Sequence, residues 1–230
     1  MIVQIYSITT PEEARTLSEM GVDHIGVIVG KASGTYTQDF VSTNKIFESI
    51  LPTTKKVAFS KSNVLSELIE ICNETNPDIL HISAFENITN NLLMTLKSYF
   101  PKIQLMKSIY INDERSVEEA LYFQEFVHFL LLDSQSADSS FGATGITNDW
   151  NIARKIVKKV RVPVILAGGL GIDNVIDAIK TVCPAGVDSM TKTNLANSKR
   201  KDPNKVRQFI NLAKSVPNIS AGKINSQLQL

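Results

Sequence analysis

Short apolar runs rich in Val, Ile and Leu recur along the chain at residues 2–7, 23–29, 56–59, 78–82, 103–109, 127–133, 164–167 and 186–188. The runs are continuous rather than alternating, which predicts strands buried on both faces, as in a parallel sheet covered by helices. Between them the apolar spacing turns helical. Thr10, Pro11, Glu12 and Glu13 supply an N-cap, a proline at the first helical position and acids in the first turn, ahead of apolar Ala14, Leu17 and Met20. Gly21 is placed to end that helix. Further helices are predicted over 43–50, 64–74, 89–99, 117–126, 150–160, 173–182 and 203–213.

Eight strand–helix pairs without a long polar linker predict an α/β protein of one domain, a (β/α)8 TIM barrel over residues 1–216. The competing architecture, an open doubly wound sheet, lacks a G-x-G-x-x-G after the first strand. Residues 217–230 are rich in Asn, Ser, Gly and Gln, carry no periodic pattern and are expected to form a polar tail.

The 230 residues are 43% hydrophobic and 20% charged, ample for one large core. With 24 basic and 23 acidic residues the net charge is +1, so the overall field supports neither a nucleic-acid partner nor a membrane surface. The basic runs at 155–161 and 199–201 read as solvated surface, the second with an allowance for phosphate attraction. Cys72 and Cys183 stand outside any C-x-x-C, each near a predicted helix end, as free thiols of a reducing compartment. The chain opens on a strand with no basic leader and has no apolar run near ~18 residues, so a cytoplasmic protein is expected. The Asn-X-Ser/Thr triplets at Asn73, Asn87 and Asn218 are then chance matches. Helix faces do not distinguish a monomer from a homodimer.

A barrel of this kind carries its chemistry at the carboxyl ends of its strands. There Asp133 follows three leucines, a charge costly inside the barrel and useful at its mouth, although it could also cap the loop. Gly142, Thr144 and Gly145 would let backbone N–H groups approach an anion, or serve a tight turn. Gly168 and Gly169 end the next apolar run before a helix. With Met190, Thr191 and Lys192 they match the phosphate site that barrels build after their last two strands, close packing being the other use of such glycines. His24 and His128 fall at strand starts on the stability face, while His81 sits within its strand and can reach the cavity. No His or carboxylate cluster has metal-ligand spacing, so neither a metal nor a cofactor is expected.

Together these segments resemble phosphoribosylanthranilate isomerase, the (β/α)8 enzyme of tryptophan biosynthesis, over nearly the whole chain. The likeness is carried by residues 3–9, V-Q-I-Y-S-I-T against the family's V-K-I-C-G-I-T, and by P-E-E-A at 11–14, G-V-D-H-I-G at 21–26 and L-L-D-S at 131–134. It continues through G-A-T-G at 142–145 with Asp149 and Trp150, V-I-L-A-G-G-L at 164–170, and G-V-D at 186–188. The resemblance implies an Amadori rearrangement of a phosphorylated small-molecule substrate. An acid, matched by Asp133, protonates the ribose ring oxygen, and a base removes the C2 proton. Tyr6 takes the place of the cysteine that serves as that base. Other departures are Ser7 for Gly, Gln4 for Lys, and Thr35 for the Arg that helps hold the anthranilate carboxylate. The family's Q-L-H-G becomes His81-Ile82-Ser83-Ala84, and the Lys of the G-K-T loop becomes Ile146.

Alternation points Gln4 and Tyr6 to one side of their strand, the barrel interior by the family match. A tyrosine titrates near ~10 against ~8.5 for cysteine, so it is the poorer base unless a cation stands nearby, for which Lys107 is the candidate. Three readings follow: a divergent isomerase of impaired activity, an enzyme acting on another phosphorylated sugar-like compound, and a non-catalytic barrel that binds a phosphorylated ligand or a partner.

Overall fold

In the computed structural model, residues 1–30, 36–83, 87–134 and 149–217 are described. Thr35, Gly142, Thr144, Gly145, Ile146 and the tail from residue 218 onward lie outside them. The chain runs β1 (Ile2–Tyr6), α1 (Pro11–Glu19), β2 (His24–Val29), β3 (Thr37–Gln38), α2 (Phe40–Ser49), β4 (Lys55–Ser60), α3 (Leu65–Thr75), β5 (Ile79–Ile82) and α4 (Asn90–Tyr99). It continues with β6 (Gln104–Ile111), α5 (Arg115–Phe123), β7 (Phe129–Ser134), α6 (Trp150–Lys159), β8 (Val164–Leu166), α7 (Val175–Val182), β9 (Gly186–Ser189), a 3-10 turn at Thr191–Thr193 and α8 (Pro203–Ser215).

The strands pair in parallel in the order β1-β9-β8-β7-β6-β5-β4-β2, and β1 also pairs with β2, so the sheet closes on itself. This is a single-domain (β/α)8 barrel, with β3 a two-residue addition beside the end of β2. Closure gives each strand an inside and an outside, and the apolar residues split accordingly into two cores. On β7, Leu130 and Leu132 belong to the layer between sheet and helices, whereas Phe129 and Leu131 fill the barrel with Val57, Ile79, Met106 and Ile165. The same parity carries Asp133, two residues beyond Leu131, to the inner rim.

Local signals explain most element ends. Thr10 accepts from the Glu13 backbone N–H, Pro11 opens α1, and Gly21 takes φ +85 just after the helix, a left-handed conformation that glycine adopts without a Cβ clash. Helix α2 begins three residues earlier than its apolar spacing predicts because Asp39 caps it, its Oδ1 accepting from the Ser42 N–H at 2.7 Å. Helix α5 starts earlier, at Arg115, and ends earlier, at Phe123, than predicted. Among the described residues no helix is long and apolar enough to cross a membrane.

Two lysines depart from their sequence reading. Lys201 is not solvated surface: it is 4% exposed, and its Nζ donates to the Met190 carbonyl at 2.6 Å and to Asn194 Oδ1 at 2.7 Å. Lys107 is no partner for Tyr6. It lies on the outward parity of β6, donates to the Ser108 carbonyl at 2.5 Å and sits 5.2 Å from the centre of the Phe123 ring on α5, with Glu119 contributing a favourable charge. Burial lowers its ammonium to about 8.

Between that value and its ordinary 10.5, the unfolded chain binds the Lys107 proton and the folded chain does not, so this residue makes the fold more stable as pH rises through that window. Denaturant titrations at pH 8 and pH 10 are expected to show wild type gaining stability relative to Lys107→Met. A difference independent of pH would mean that the ammonium titrates as it does in water.

Candidate active site

The inner rim at the carboxyl ends of the strands encloses a cavity of about 490 Å³, within the range of small-molecule sites. Its floor is aromatic. Tyr6 reaches inward from β1, with its ring 5.5 Å from Phe59 and 5.6 Å from His81. Its hydroxyl lies 2.6 Å from His81 Nδ1, and His81 Nε2 lies 2.8 Å from Ser108 Oγ. Beyond them Tyr110 donates to the Ser83 carbonyl at 3.0 Å, its hydroxyl also lying 2.5 Å from Ser83 Oγ.

The bulk of Tyr6 is accommodated by Gly26 on the neighbouring strand, which it faces in register. A Cβ on Gly26 would stand 1.9 Å from Tyr6 Cδ1, so the ring lies directly on the glycine backbone. Next to it Ser7 holds φ +64, a conformation that costs a residue with a side chain about 1 kcal/mol or more. Its Oγ is buried with no hydrogen-bond partner among the described residues.

Electrostatics at the floor leave no base at Tyr6. Burial, then the charges of Asp188 and Asp133, raise its phenol well above 10. His81, pushed down to about 3 by burial and by Lys107, stays neutral and is a weak acceptor of the phenol proton. The pair therefore forms a neutral hydrogen-bonded floor rather than a proton-abstracting group.

The rim carries the charges. Asp133, Asp188, Lys61 and Lys192 all line the cavity. Gly168 and Gly169 turn the chain after β8 with φ of +86 and +66, and Asn174 holds that turn by donating to the Gly169 carbonyl at 3.1 Å and accepting from the Gly171 N–H at 2.9 Å. Met190, Thr191 and Lys192 follow β9 on the same side, and the Lys192 stem packs on Gly171, where a Cβ would meet it at 2.9 Å. Behind them, Lys201 ties the Met190 carbonyl to Glu13, whose Oε1 accepts from the Lys201 backbone N–H at 2.6 Å.

Of the residues singled out in the sequence, the cavity brings together Tyr6, His81, Asp133, Gly168, Gly169, Met190, Thr191 and Lys192. Sequence reasoning missed Lys61, which only the end of β4 brings to the rim, and gave Asp188 no role although G-V-D was among the matched segments. A carboxylate that breaks an otherwise apolar inward row was the available signal. Among the described residues no three His, Cys, Asp or Glu gather closely enough to hold a metal ion.

Fold and rim together define a (β/α)8 barrel with a glycine turn, two carboxylates and two lysines around one cavity. The family model of N-(5'-phosphoribosyl)anthranilate isomerase matches residues 3–212. Similar proteins include the N-(5'-phosphoribosyl)anthranilate isomerase of Methanocella arvoryzae, 31% identical over 208 residues, covering 90% of this chain and 95% of that protein. The second such isomerase of Methanosarcina mazei is also 31% identical, over 94% of this chain and 95% of its own length. The crystal structure of the Thermotoga maritima enzyme superposes with a TM-score of 0.81 at 25% identity, covering 94% of this chain and all of that one. The chain belongs to the phosphoribosylanthranilate isomerase family.

The contact between Tyr6 and Gly26 is testable on its own. Gly26→Ala is expected to cost about 1–3 kcal/mol of stability by overpacking. In a Tyr6→Ala background most of that cost should disappear, giving a coupling of about 1 kcal/mol or more by chemical denaturation. Additive effects would place the ring elsewhere.

Proposed function

We propose that the chain is an N-(5'-phosphoribosyl)anthranilate isomerase acting in the cytoplasm in tryptophan biosynthesis, its family's usual base replaced. The observation that carries this reading is that Asp133, the match to the family's acid, and the Gly168–Gly169 turn face one cavity in a chain matched by the family model from residue 3 to 212. Asp133 is the acid that protonates the ring oxygen as the ribose opens. The phosphate is assigned to Gly168, Gly169 and the Met190, Thr191 and Lys192 segment, where open backbone geometry and one ammonium suit a dianion. With Thr35 in place of the family's Arg, the carboxylate end is assigned to Lys61, which lies across the mouth from Lys192 with β1 and β2 between their strands.

The cytoplasmic assignment draws on the free thiols of Cys72 and Cys183. A second reading, a barrel that binds a phosphorylated compound without turning it over, is favoured by one feature. Tyr6 fills part of the space where a base and the sugar would meet, and its phenol stays protonated.

Direct assay of N-(5'-phosphoribosyl)anthranilate conversion separates the two. Turnover is expected, reduced by about 10²- to 10⁴-fold in Asp133→Asn. Lys61→Met is expected to raise KM with a smaller effect on kcat, as for a contact made equally in ground and transition states. Absence of turnover, with inorganic phosphate still raising the thermal midpoint, would establish the binding reading instead.

A further inference from the structure

We propose that Asp188 is the group that removes the C2 proton in this chain, taking over the role left by the cysteine that Tyr6 replaces; this rests on the isomerase reading above. Asp188 stands on β9, which pairs with β1, and Gln4 lies opposite it in register, two residues before the position of the family's base. It lines the same cavity as Asp133, which lies two strands away on β7. Both carboxylates therefore line one cavity, Asp133 from its rim and Asp188 from one layer deeper, so that an acid and a base can reach one ligand.

The second departure in β1 changes the chemistry of Asp188. Gln4 Nε2 donates to Asp188 Oδ1 at 3.3 Å, while Gln4 Oε1 lies 3.0 Å from His24 Nδ1. Oε1 can only accept, so the neutral His24 ring carries its proton on Nδ1. A lysine in the place of Gln4, as in the family's V-K-I-C, would set an ammonium beside Asp188 and hold it ionised. An amide supplies a hydrogen bond but no charge. Cysteine to Tyr6 and lysine to Gln4 thus act together: one removes a base, and the other converts a neighbouring carboxylate from a paired ion into a group that exchanges its proton near neutrality.

The groups that face Asp188 are Tyr6 and Gln4 from β1, Asp133 from β7, and Lys201 behind the Met190 segment with its partner Glu13; the inward positions of β8 are the apolar Ile165 and Ala167. Burial, then the charge of Asp133, pushes the Asp188 carboxyl up to about 8, against the smaller lowering effects of Gln4 and Lys201. Because the charge of Asp133 is among the causes, a proton on Asp133 makes Asp188 easier to ionise, and the pair holds one proton between them over the neutral range. The step balances on that single proton. Asp133 gives it to the ring oxygen as the C1–O bond breaks and the C1–N iminium forms. Asp188 takes the C2 proton, whose bonding pair becomes the C1–C2 double bond of an enolamine, which tautomerises to the ketose.

The test is kcat/KM for N-(5'-phosphoribosyl)anthranilate from about pH 5.5 to about 9.5, a span on both sides of the Asp188 titration. Wild type is expected to fall as pH rises through about 8, where the pair loses the single proton that Asp133 must donate. Asp188→Asn is expected to fall by about 10²- to 10⁴-fold and to lose that limb. Gln4→Lys is expected to move the limb to lower pH and to raise kcat/KM on its acid side, because the ammonium leaves the shared proton on Asp133, an effect a merely structural residue would not produce. Turnover in wild type that Asp188→Asn leaves intact, a limb that Gln4→Lys does not move, or a profile that rises through pH 8 would each overturn the role of Asp188 and leave the isomerase reading standing. Wild type without turnover at any pH would sink both.

Discussion

The structure depends on one act of pairing, the hydrogen bonding of β1 to both β2 and β9. Without it the sheet would be an open ribbon with the same helices, and its two faces would be equivalent apolar surfaces. With it, every second residue of each strand is enclosed at a short distance from residues of the opposite wall. Ile165, Leu131, Met106, Ile79 and Val57 become a core of their own, separate from the larger apolar layer under the helices. The polar residues that share their parity become neighbours across the barrel.

That enclosure sets the electrostatics. Asp188, Gln4 and His24 lie side by side in one buried layer, so each group is governed largely by the few dipoles within reach. His24 is driven neutral, to about 4, mainly by burial. Asp188 is driven the other way by the same cause, with the charge of Asp133 adding to it. One layer higher the ring of Tyr6 spans from β1 to His81 on β5, which is possible only because β2 presents Gly26 beneath it. The position of one aromatic ring thus depends on three strands at once. The rim above remains polar, with its glycine turn held by Asn174 and its last segment held from behind by Lys201 and Glu13.

Much of the fold was legible in the chain. Eight continuous apolar runs, each followed by a helical period, carry the strand and helix order, and capping residues such as Thr10 and Pro11 mark their starts. Asp39 as the cap of α2 was equally visible in principle, but apolar spacing alone places that helix too late. Of the site, Asp133, His81 and the glycine pair could be named because each interrupts an apolar pattern or repeats a motif in order. The meaning of Lys107, Lys201 and Asp188 could not, since a charged residue in a linear pattern does not say which wall it faces.

The sequence by itself determined the architecture, because burial on both faces and short connections leave few ways to arrange eight strands and eight helices, and it determined the family through the order of its motifs. Only the tertiary structure decided which residues meet. It turned Lys107 outward to Phe123 and drew Lys201 inward to the Met190 carbonyl. It set Gln4 against Asp188 across 184 positions of chain. The physical reason is that inward or outward is fixed by strand parity and register on closure, whereas a residue's protonation is set by neighbours that closure brings from distant parts of the chain.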